Sequence, residues 1–259
     1  MRHTAAQLSI AACLVTVGLS CSKPESTRVT PTPVAVIDLG AVVTPDLPEQ
    51  FWGKAFLKQM GFTRGNAFEV IPWEFPTDGG TVRGSNAYYT LFNHGGPHVD
   101  APNHTGDGAG LDSYPVEAFV GPLKAFDVSN YAPGRSIPVD VFRDQVQAGD
   151  VVVVYTRYTA PRDPDELPTV ITLTQDAAEF LSTLPVRAYG TDSFSVESLS
   201  DTALPLIHHS FLARGIPTYE QLLNVDKLLG KTHLYFVGAP LNIQNGDGMI
   251  VRPTVLVYE

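Results

Sequence analysis

The stretch Asn93–His104, which reads NHGGPHVDAPNH, is the most informative part of this sequence. Three histidines and one aspartate lie close together in it: His94, His98, Asp100 and His104. Imidazole and carboxylate groups are the ligands by which proteins bind zinc, manganese or iron. A lone histidine is more often structural or solvent-facing, but a cluster of this kind is typical of a metal or catalytic site. The stretch therefore predicts such a site.

The spacing of these residues indicates a loop followed by a short extended segment. Two glycines and a proline separate His94 from His98, and both residue types oppose a helix. This is therefore not the helical His-x-x-x-His of zinc proteases, although a tight loop can fold His94 back toward His98. In an extended chain, residues two apart face the same side, so His98 and Asp100 point together. A second proline then turns the chain and lets His104 approach from another direction.

The composition favours an enzyme rich in loops and strands over a helical bundle. The 259 residues include 22 glycines and 21 prolines, and only 17% are charged. The net charge is −10 and no basic run occurs. Nucleic acid and anionic membrane surfaces are therefore poor partners, and a small-molecule substrate is expected instead. The glycine-rich turn Thr105–Asp112 lacks the GK[ST] ending of a phosphate loop, which argues against nucleotide binding.

The first 33 residues are predicted to be an export signal followed by a tether. Residues 1–20 have the pattern of a signal peptide, whose apolar run Leu8–Leu19 is too short to span a bilayer. The sequence Gly18-Leu19-Ser20-Cys21 is similar to a lipobox, so Cys21 is predicted to be lipidated and residues 21–33 to form a Pro/Thr-rich tether. The domain at 34–259 would then be periplasmic or on the cell surface. Ordinary cleavage and secretion of a soluble protein is the alternative.

Short β-branched runs separated by single short helices predict an α/β domain around a mixed β-sheet with at least five buried strands. Strands are predicted at Val34–Leu39, Asp150–Tyr155, Leu234–Pro240 and, as one closing strand, Met249–Val257. Helices are predicted at Val139–Gln147 and at Gln175–Leu184, the latter with Thr174 as its N-cap. The β-prone segment Asn86–Phe92 is predicted to hold the histidine loop rigidly from one side.

Aromatic residues are frequent before the histidine loop. Phe51, Trp52 and Trp73 belong either to the core or to a substrate pocket, because pockets are mostly apolar with few polar groups. We take these three as candidate substrate-binding residues.

A second group of polar residues lies at His208–Leu223, which reads HHSFLARGIPTYEQLL. A short helix that ends at Gly215 and an extended segment after it separate His208 from Glu220. Helix and strand can run back to back, so both side chains could return to one site, but composition alone makes this a weak signal. His209 points elsewhere on the helix and is expected to be structural. Asp192, at a predicted strand end, either orients a liganding histidine or caps the following turn.

Three segments together resemble the metal-dependent cyclase family, which includes bacterial kynurenine formamidase and isatin hydrolase. The family's first motif is His-x-Gly-Thr-His-x-Asp-x-Pro-x-His, and residues 94–104 match each ligand position, with Pro97 in place of the usual Thr. The second motif is a His followed twelve residues later by Glu, as in His208 and Glu220. A closing motif is similar to Gly238–Asn242, then Gly246-Asp247-Gly248 and Arg252. The resemblance covers nearly the whole chain after the tether.

The resemblance implies a swivelling β/β/α domain, generally dimeric, with one or two zinc or manganese ions. By analogy, His94, His98 and Asp100 would hold one ion, and Asp100 would bridge to a second held with His208 and Glu220. His104 would be the proton-transfer residue. The implied activity is metal-dependent hydrolysis of an amide, lactam or ester in a small, aromatic or cyclic molecule. A metal- or ligand-binding lipoprotein without turnover, and a cyclase or dehydratase, are the alternatives.

Overall fold

The computed structural model describes residues 31–106, 108–161, 168–198 and 206–258. The predicted signal peptide, the lipidation site Cys21 and most of the tether lie outside these residues. From Thr32 onward the chain forms one unit. Within the described residues, none of the helices has the length and hydropathy that crossing a bilayer requires.

The described residues form thirteen strands and four short α-helices. In chain order they are β1 (Ala35–Asp38), α1 (Leu47–Trp52), α2 (Lys54–Gln59), β2 (Ala67–Thr77), β3 (Gly80–Thr90), β4 (His98–Asp100), β5 (Val120–Asp127), β6 (Ser136–Ile137), β7 (Val151–Tyr155), β8 (Thr172–Leu173), α3 (Gln175–Thr183), β9 (Ala188–Thr191), α4 (Leu206–Leu212), β10 (Thr218–Glu220), β11 (Leu234–Val237), β12 (Gly248–Ile250) and β13 (Thr254–Val257). Single 3₁₀ turns lie at Pro102–Thr105, Leu111–Ser113, Val116–Phe119, Val139–Val141 and Val225–Leu228.

Nine of these strands form one mixed sheet in the order β1-β13-β11-β5-β7-β9-β10-β4-β12. The central strands β5, β7, β9 and β10 run parallel, and the strands on either side of them pair antiparallel. This arrangement confirms the predicted α/β class with a mixed sheet. It also places β4, with two of the candidate ligands, between β10 and β12.

The sheet is curled so that its two ends approach each other. Strands β12 and β13 lie near opposite ends of the strand order, yet only Val251–Pro253 connects them. Because each residue spans at most about 3.6 Å, this link is too short to cross a flat sheet of nine strands. The predicted single strand Met249–Val257 is therefore wrong. Pro253 explains the break, since a proline has no N–H to donate within a sheet.

Two apolar layers cover the two faces of the sheet. One layer draws residues from both ends of the sheet, including Ile37 and Val99, and so fills the curl. The other lies between the sheet and helices α3 and α4. Strand β7 contributes Val151 and Val153 to the first layer and Val152 and Val154 to the second, which is why it reads as a continuous apolar run.

Two local predictions need correction and one is confirmed. Val139–Gln147 forms a 3₁₀ turn and further turns in place of a helix, and the β-branched valines in it disfavour regular helix. Strand β1 is an edge strand whose Val36 is 59% exposed, so it is not the buried strand that its composition predicts. Helix α3 begins as predicted, with the Thr174 hydroxyl accepting a hydrogen bond from the backbone N–H of Ala177.

A separate hairpin, β2–β3, leaves the body of the domain. Its strands pair with each other over eleven residues each, and neither joins the large sheet. Most of its side chains are exposed on both faces, including Phe75, Tyr88 and Tyr89 at 64%, 69% and 67%. Trp73 lies here, with its ring where a Cβ at Gly84 would be.

Candidate metal centre

Strands β4 and β10 bring the two sequence clusters together. They pair antiparallel, with His98 opposite Glu220 and Asp100 opposite Thr218. All four side chains are buried. Because alternate residues of a strand face the same side, His98, Asp100 and Glu220 converge on one face, as the spacing of the first two predicts.

His94 reaches the same point from the loop before β4. Its Nε2 atom lies 3.2 Å from Asp100 Oδ1, and His98 Nε2 lies 3.2 Å from that oxygen as well. The loop turns at Gly96, whose φ of 126° favours glycine. On the other side of β4, a Cβ at Gly248 would lie only 2.6 Å from His94 Nε2, so the imidazole occupies the space that a side chain would need.

His208 on α4 completes the group from the other side. Its Nε2 atom lies 3.0 Å from Glu220 Oε1 and 3.8 Å from Asp100 Oδ2, and His98 Nε2 lies 3.6 Å from Glu220 Oε2. Asp100 therefore presents one oxygen to His94 and His98 and the other to His208. We call His94, His98, Asp100, His208 and Glu220 the five-residue cluster.

The five-residue cluster fits a divalent metal ion. In the described part of the chain, His94 Nε2, His98 Nε2, Asp100 Oδ1 and His208 Nε2 face one another and are buried without a hydrogen bond of acceptable geometry. Burying such groups unpartnered is costly, and a cation would compensate it. Donor atoms around a tetrahedral ion with bonds of about 2.1 Å lie roughly 3.4 Å apart, close to the 3.2 Å observed.

The electrostatics of the five-residue cluster also suit a cation. Burial would raise the pKa of Asp100, but His98 and His94 hold it well below its usual range, so the carboxylate is ionised. Burial lowers the pKa of His94 and keeps that imidazole neutral. Burial would likewise lower the pKa of His208, but the carboxylates of Glu197 and Glu220 raise it to about 10. Without a metal ion, protons on imidazole thus offset the buried carboxylates, and a metal ion would replace them.

His104 lies beside the five-residue cluster and is more accessible than its members. It stands on the 3₁₀ turn Pro102–Thr105, and its side chain is 31% exposed. Its ring stacks on His94 with the centroids 4.4 Å apart, and its Nδ1 lies 3.9 Å from Asp247 Oδ2. Its donor atoms are also near enough to Asp100 and His208 to share an ion with them. The position suits either a proton-transfer group at the mouth of the site or an additional ligand.

Comparisons with known proteins show the family to which this chain belongs. Residues 37–198 match the model of the Cyclase family. The chain is 34% identical over 164 residues to a kynurenine formamidase from Salinibacter ruber, an alignment that covers 62% of this chain and 75% of that protein. It is 31% identical over 168 residues to a kynurenine formamidase from Bacillus cereus, covering 64% and 77%. This chain belongs to the Cyclase family.

Solved structures share the fold of this Cyclase-family protein. Isatin hydrolase A from Labrenzia aggregata, bound to benzyl benzoate, superimposes with a TM-score of 0.67 at 24% identity, covering 87% of this chain and 94% of that one. An isatin hydrolase bound to the product analogue thioisatinate gives a TM-score of 0.68 at 23% identity, covering 86% and 92%.

In this Cyclase-family protein, side chains from other parts of the chain hold the histidine loop. Gln221 is fully buried and has a positive φ of 61°. Its side-chain Oε1 accepts a hydrogen bond from the backbone N–H of Gly96 at 2.9 Å, and its Nε2 donates one to the carbonyl oxygen of His94 at 3.2 Å. Trp52 Nε1 donates to the same carbonyl at 2.9 Å. The predicted β-prone segment over residues 86–92 is strand as far as Thr90 and leads into the histidine loop, but β3 pairs only with β2, so these side-chain bonds come from other parts of the chain.

Several residues that support the five-residue cluster are not apparent from the sequence. Thr218 Oγ1 donates to Asp100 Oδ2 at 2.8 Å, and Ser195 Oγ and Val196 N donate to Glu220 Oε1 at 3.1 and 2.7 Å. Glu197 Oε2 lies 3.5 Å from His208 Nδ1. The only sequence signal for Thr218 is its period-two spacing from Glu220, and no sequence signal points to the others.

The structure places the remaining predicted residues as follows. Trp52 packs in an aromatic cluster next to the histidine loop, whereas Phe51 lines a cavity of about 330 Å³ beyond β7. No ring contact joins Trp73 to the five-residue cluster among the described residues. Asp192 accepts from Thr156 N, Thr156 Oγ1 and Tyr158 N, so it holds the loop after β7; among the described residues it bonds neither to a histidine nor to the turn that follows it. His209 is exposed.

Proposed function

We propose that this protein is a metal-dependent hydrolase that opens an amide, lactam or ester bond in a small aromatic or cyclic molecule. The observation that carries the proposal is the set of buried, unpartnered nitrogen and oxygen atoms that converge on Asp100. Similarity to kynurenine formamidases supports an amide as the bond that is opened.

We propose that His94, His98 and Asp100 would hold one zinc or manganese ion, and that Asp100, His208 and Glu220 would hold a second where two are bound. A bound divalent ion polarises a carbonyl and lowers the pKa of water from 15.7 to roughly 7. Asp100 can serve both positions because its two oxygens face different histidines. Burial of the five-residue cluster excludes bulk water and strengthens each of these interactions.

His104 is proposed to move a proton from the attacking water to the leaving nitrogen or oxygen. Its ring contacts the five-residue cluster through His94 while nearly a third of its side chain is exposed, so it can exchange protons with solvent. Serine and cysteine nucleophiles are not required. Trp52 and Phe51 are proposed to contact the aromatic part of the substrate.

The test is metal analysis of the purified protein together with a screen of formyl-amides, cyclic imides and lactones. The wild type should carry zinc or manganese and hydrolyse at least one class. Asp100→Ala should lose both, and His104→Ala should keep its metal while turnover falls by about 10²–10⁴. His209→Ala is the matched control, because this exposed histidine lies on the same helix as His208. A metal-loaded wild type without turnover on any class would instead indicate a binding protein.

We also propose that the protein is a homodimer in which a second copy of the chain covers the β2–β3 hairpin. A lone two-stranded hairpin is only marginally stable in water, and this one exposes several large apolar side chains, among them Phe75 and Tyr88. A second copy that packs on it would bury them. Sedimentation velocity should give a dimer for the wild type and a monomer for Phe75→Ser combined with Tyr88→Ser; a monomeric wild type would contradict the proposal.

Export with lipidation at Cys21 is also proposed, on the basis of Gly18-Leu19-Ser20-Cys21. Wild-type protein should fractionate with membranes, and Cys21→Ala should release it to the soluble fraction. Wild-type protein that is exported but already soluble would support ordinary signal cleavage instead.

A further inference from the structure

Three consecutive residues, Ser195-Val196-Glu197, contact both members of the second sequence cluster. Ser195 Oγ and Val196 N each donate to Glu220 Oε1, at 3.1 and 2.7 Å. The next residue, Glu197, turns to His208 instead. One short segment after β9 therefore meets two residues that stand on different elements, α4 and β10.

The carboxylate of Glu197 makes three contacts with the start of α4 through one oxygen. Its Oε2 accepts from the backbone N–H of Ile207 at 2.9 Å and of His208 at 3.2 Å, and it lies 3.5 Å from His208 Nδ1. The Glu197 side chain is only 21% exposed. The same oxygen thus fixes the position of the His208 backbone and faces the outer nitrogen of its ring.

The two ring nitrogens of His208 face different carboxylates. Nε2 points to Glu220 and Asp100, whereas Nδ1 points to Glu197. A carboxylate at the outer nitrogen of a liganding histidine sets its tautomer and ring rotation and increases the basicity of the inner nitrogen. With an ion bound at Nε2, the hydrogen of the neutral ring would lie on Nδ1, on the side of Glu197.

We propose that Glu197 is a positioning residue for His208 as a metal ligand, an inference that rests on the proposed metal-dependent function. Glu197 holds the ring so that Nε2 faces Asp100 and Glu220, and it does so through its negative charge as well as through its hold on α4. Its removal weakens binding of the ion even though Glu197 lies outside the five-residue cluster.

The competing explanation is that Glu197 only anchors the first turn of α4. Glu197→Gln separates the two roles, because an amide oxygen still accepts the N–H groups of Ile207 and His208 but carries no charge for the imidazole. Glu197→Asp retains the charge on a shorter side chain. Glu179→Gln, on the exposed face of α3, makes the same change of charge away from the site.

The experiment titrates Co²⁺ into the metal-free proteins, with affinity from chelator competition, the visible spectrum and the melting temperature as readouts. Glu197→Gln should melt like the wild type when metal-free, bind Co²⁺ about 10- to 100-fold more weakly and show a shifted spectrum. Glu197→Asp should recover part of the affinity, and Glu179→Gln should match the wild type.

Each other result decides against the inference. Equal Co²⁺ affinity in Glu197→Gln and wild type overturns it, as does equal loss in Glu197→Gln and Glu197→Asp. A metal-free Glu197→Gln protein that is unfolded or melts far lower assigns Glu197 a structural role only. If the wild type itself binds no Co²⁺, the proposed function fails first, and the two failures are thereby distinguished.

Discussion

Replacing Gly248 with alanine tests whether His94 is held where the metal centre needs it. Gly248 lies on β12, directly opposite Asp100 on β4. An added Cβ would meet His94 Nε2 at 2.6 Å, His94 Cε1 at 2.9 Å and the carbonyl oxygen of Val99 at 3.0 Å. The Gly248 backbone does not have a positive φ, so the effect would come from the contact and not from backbone strain.

The size of the effect follows from these distances. Non-bonded heavy atoms normally lie about 3.5–4.0 Å apart, so the His94 ring must retreat by roughly 1 Å. The Val99 carbonyl cannot retreat easily, because β4 is paired on both sides. Metal–ligand distances lie within about 0.2 Å of their usual values, so a displacement of this size would take Nε2 out of bonding range. We therefore expect Gly248→Ala to bind zinc at least about tenfold more weakly, and overpacking to destabilise the metal-free protein by about 1–3 kcal/mol.

The assay is zinc affinity by chelator competition, together with urea unfolding of the metal-free protein. Gly246→Ala is the matched control, because Gly246 lies two residues before Gly248, in the loop that leads into β12, and an added Cβ there would meet only Ile243, at 3.2 Å or more. The control should bind zinc like the wild type. If Gly248→Ala binds zinc as tightly as the control does, His94 is not a ligand held against β12, and the reasoning is refuted.

Three further predictions concern the support of the centre. Gln221→Leu removes the amide that bonds to the Gly96 N–H and the Phe194 carbonyl, so it should lower the free energy of unfolding by about 2–6 kcal/mol. Urea unfolding measures this loss, and Gln145→Leu, at an exposed glutamine, is the control. Trp52→Phe keeps an aromatic ring but loses the bond to the His94 carbonyl, so the same measurement should show a loss of about 0.5–1.5 kcal/mol; no loss would mean that this bond does not support the loop. Removing metal with a chelator should lower the melting temperature, and added zinc should restore it, because an ion at 100 times its Kd stabilises the folded protein by about 2.7 kcal/mol. A melting temperature that changes with neither treatment would contradict the metal site.

Local rules were enough to predict the first half of the site. The alternation of side chains in an extended chain places His98 and Asp100 on one face, and the flanking glycines and prolines exclude a helix there. The strands β7 and β11 and the cap of α3 are likewise local features that the sequence predicts correctly. On composition alone, the prediction that His208 and Glu220 share one site is weak, and it depends on the family resemblance.

Tertiary structure alone decided how these pieces meet. The sheet curls because Val251–Pro253 must join strands near its opposite ends, and residue propensities contain no information about strand order. Gln221 supports the histidine loop across 125 positions of sequence, and Gly248 is small because an imidazole from a distant loop lies on it. Such contacts depend on which segments pack together. The sequence by itself therefore determined the chemistry of the ligands, whereas the packing of distant segments determined their geometry.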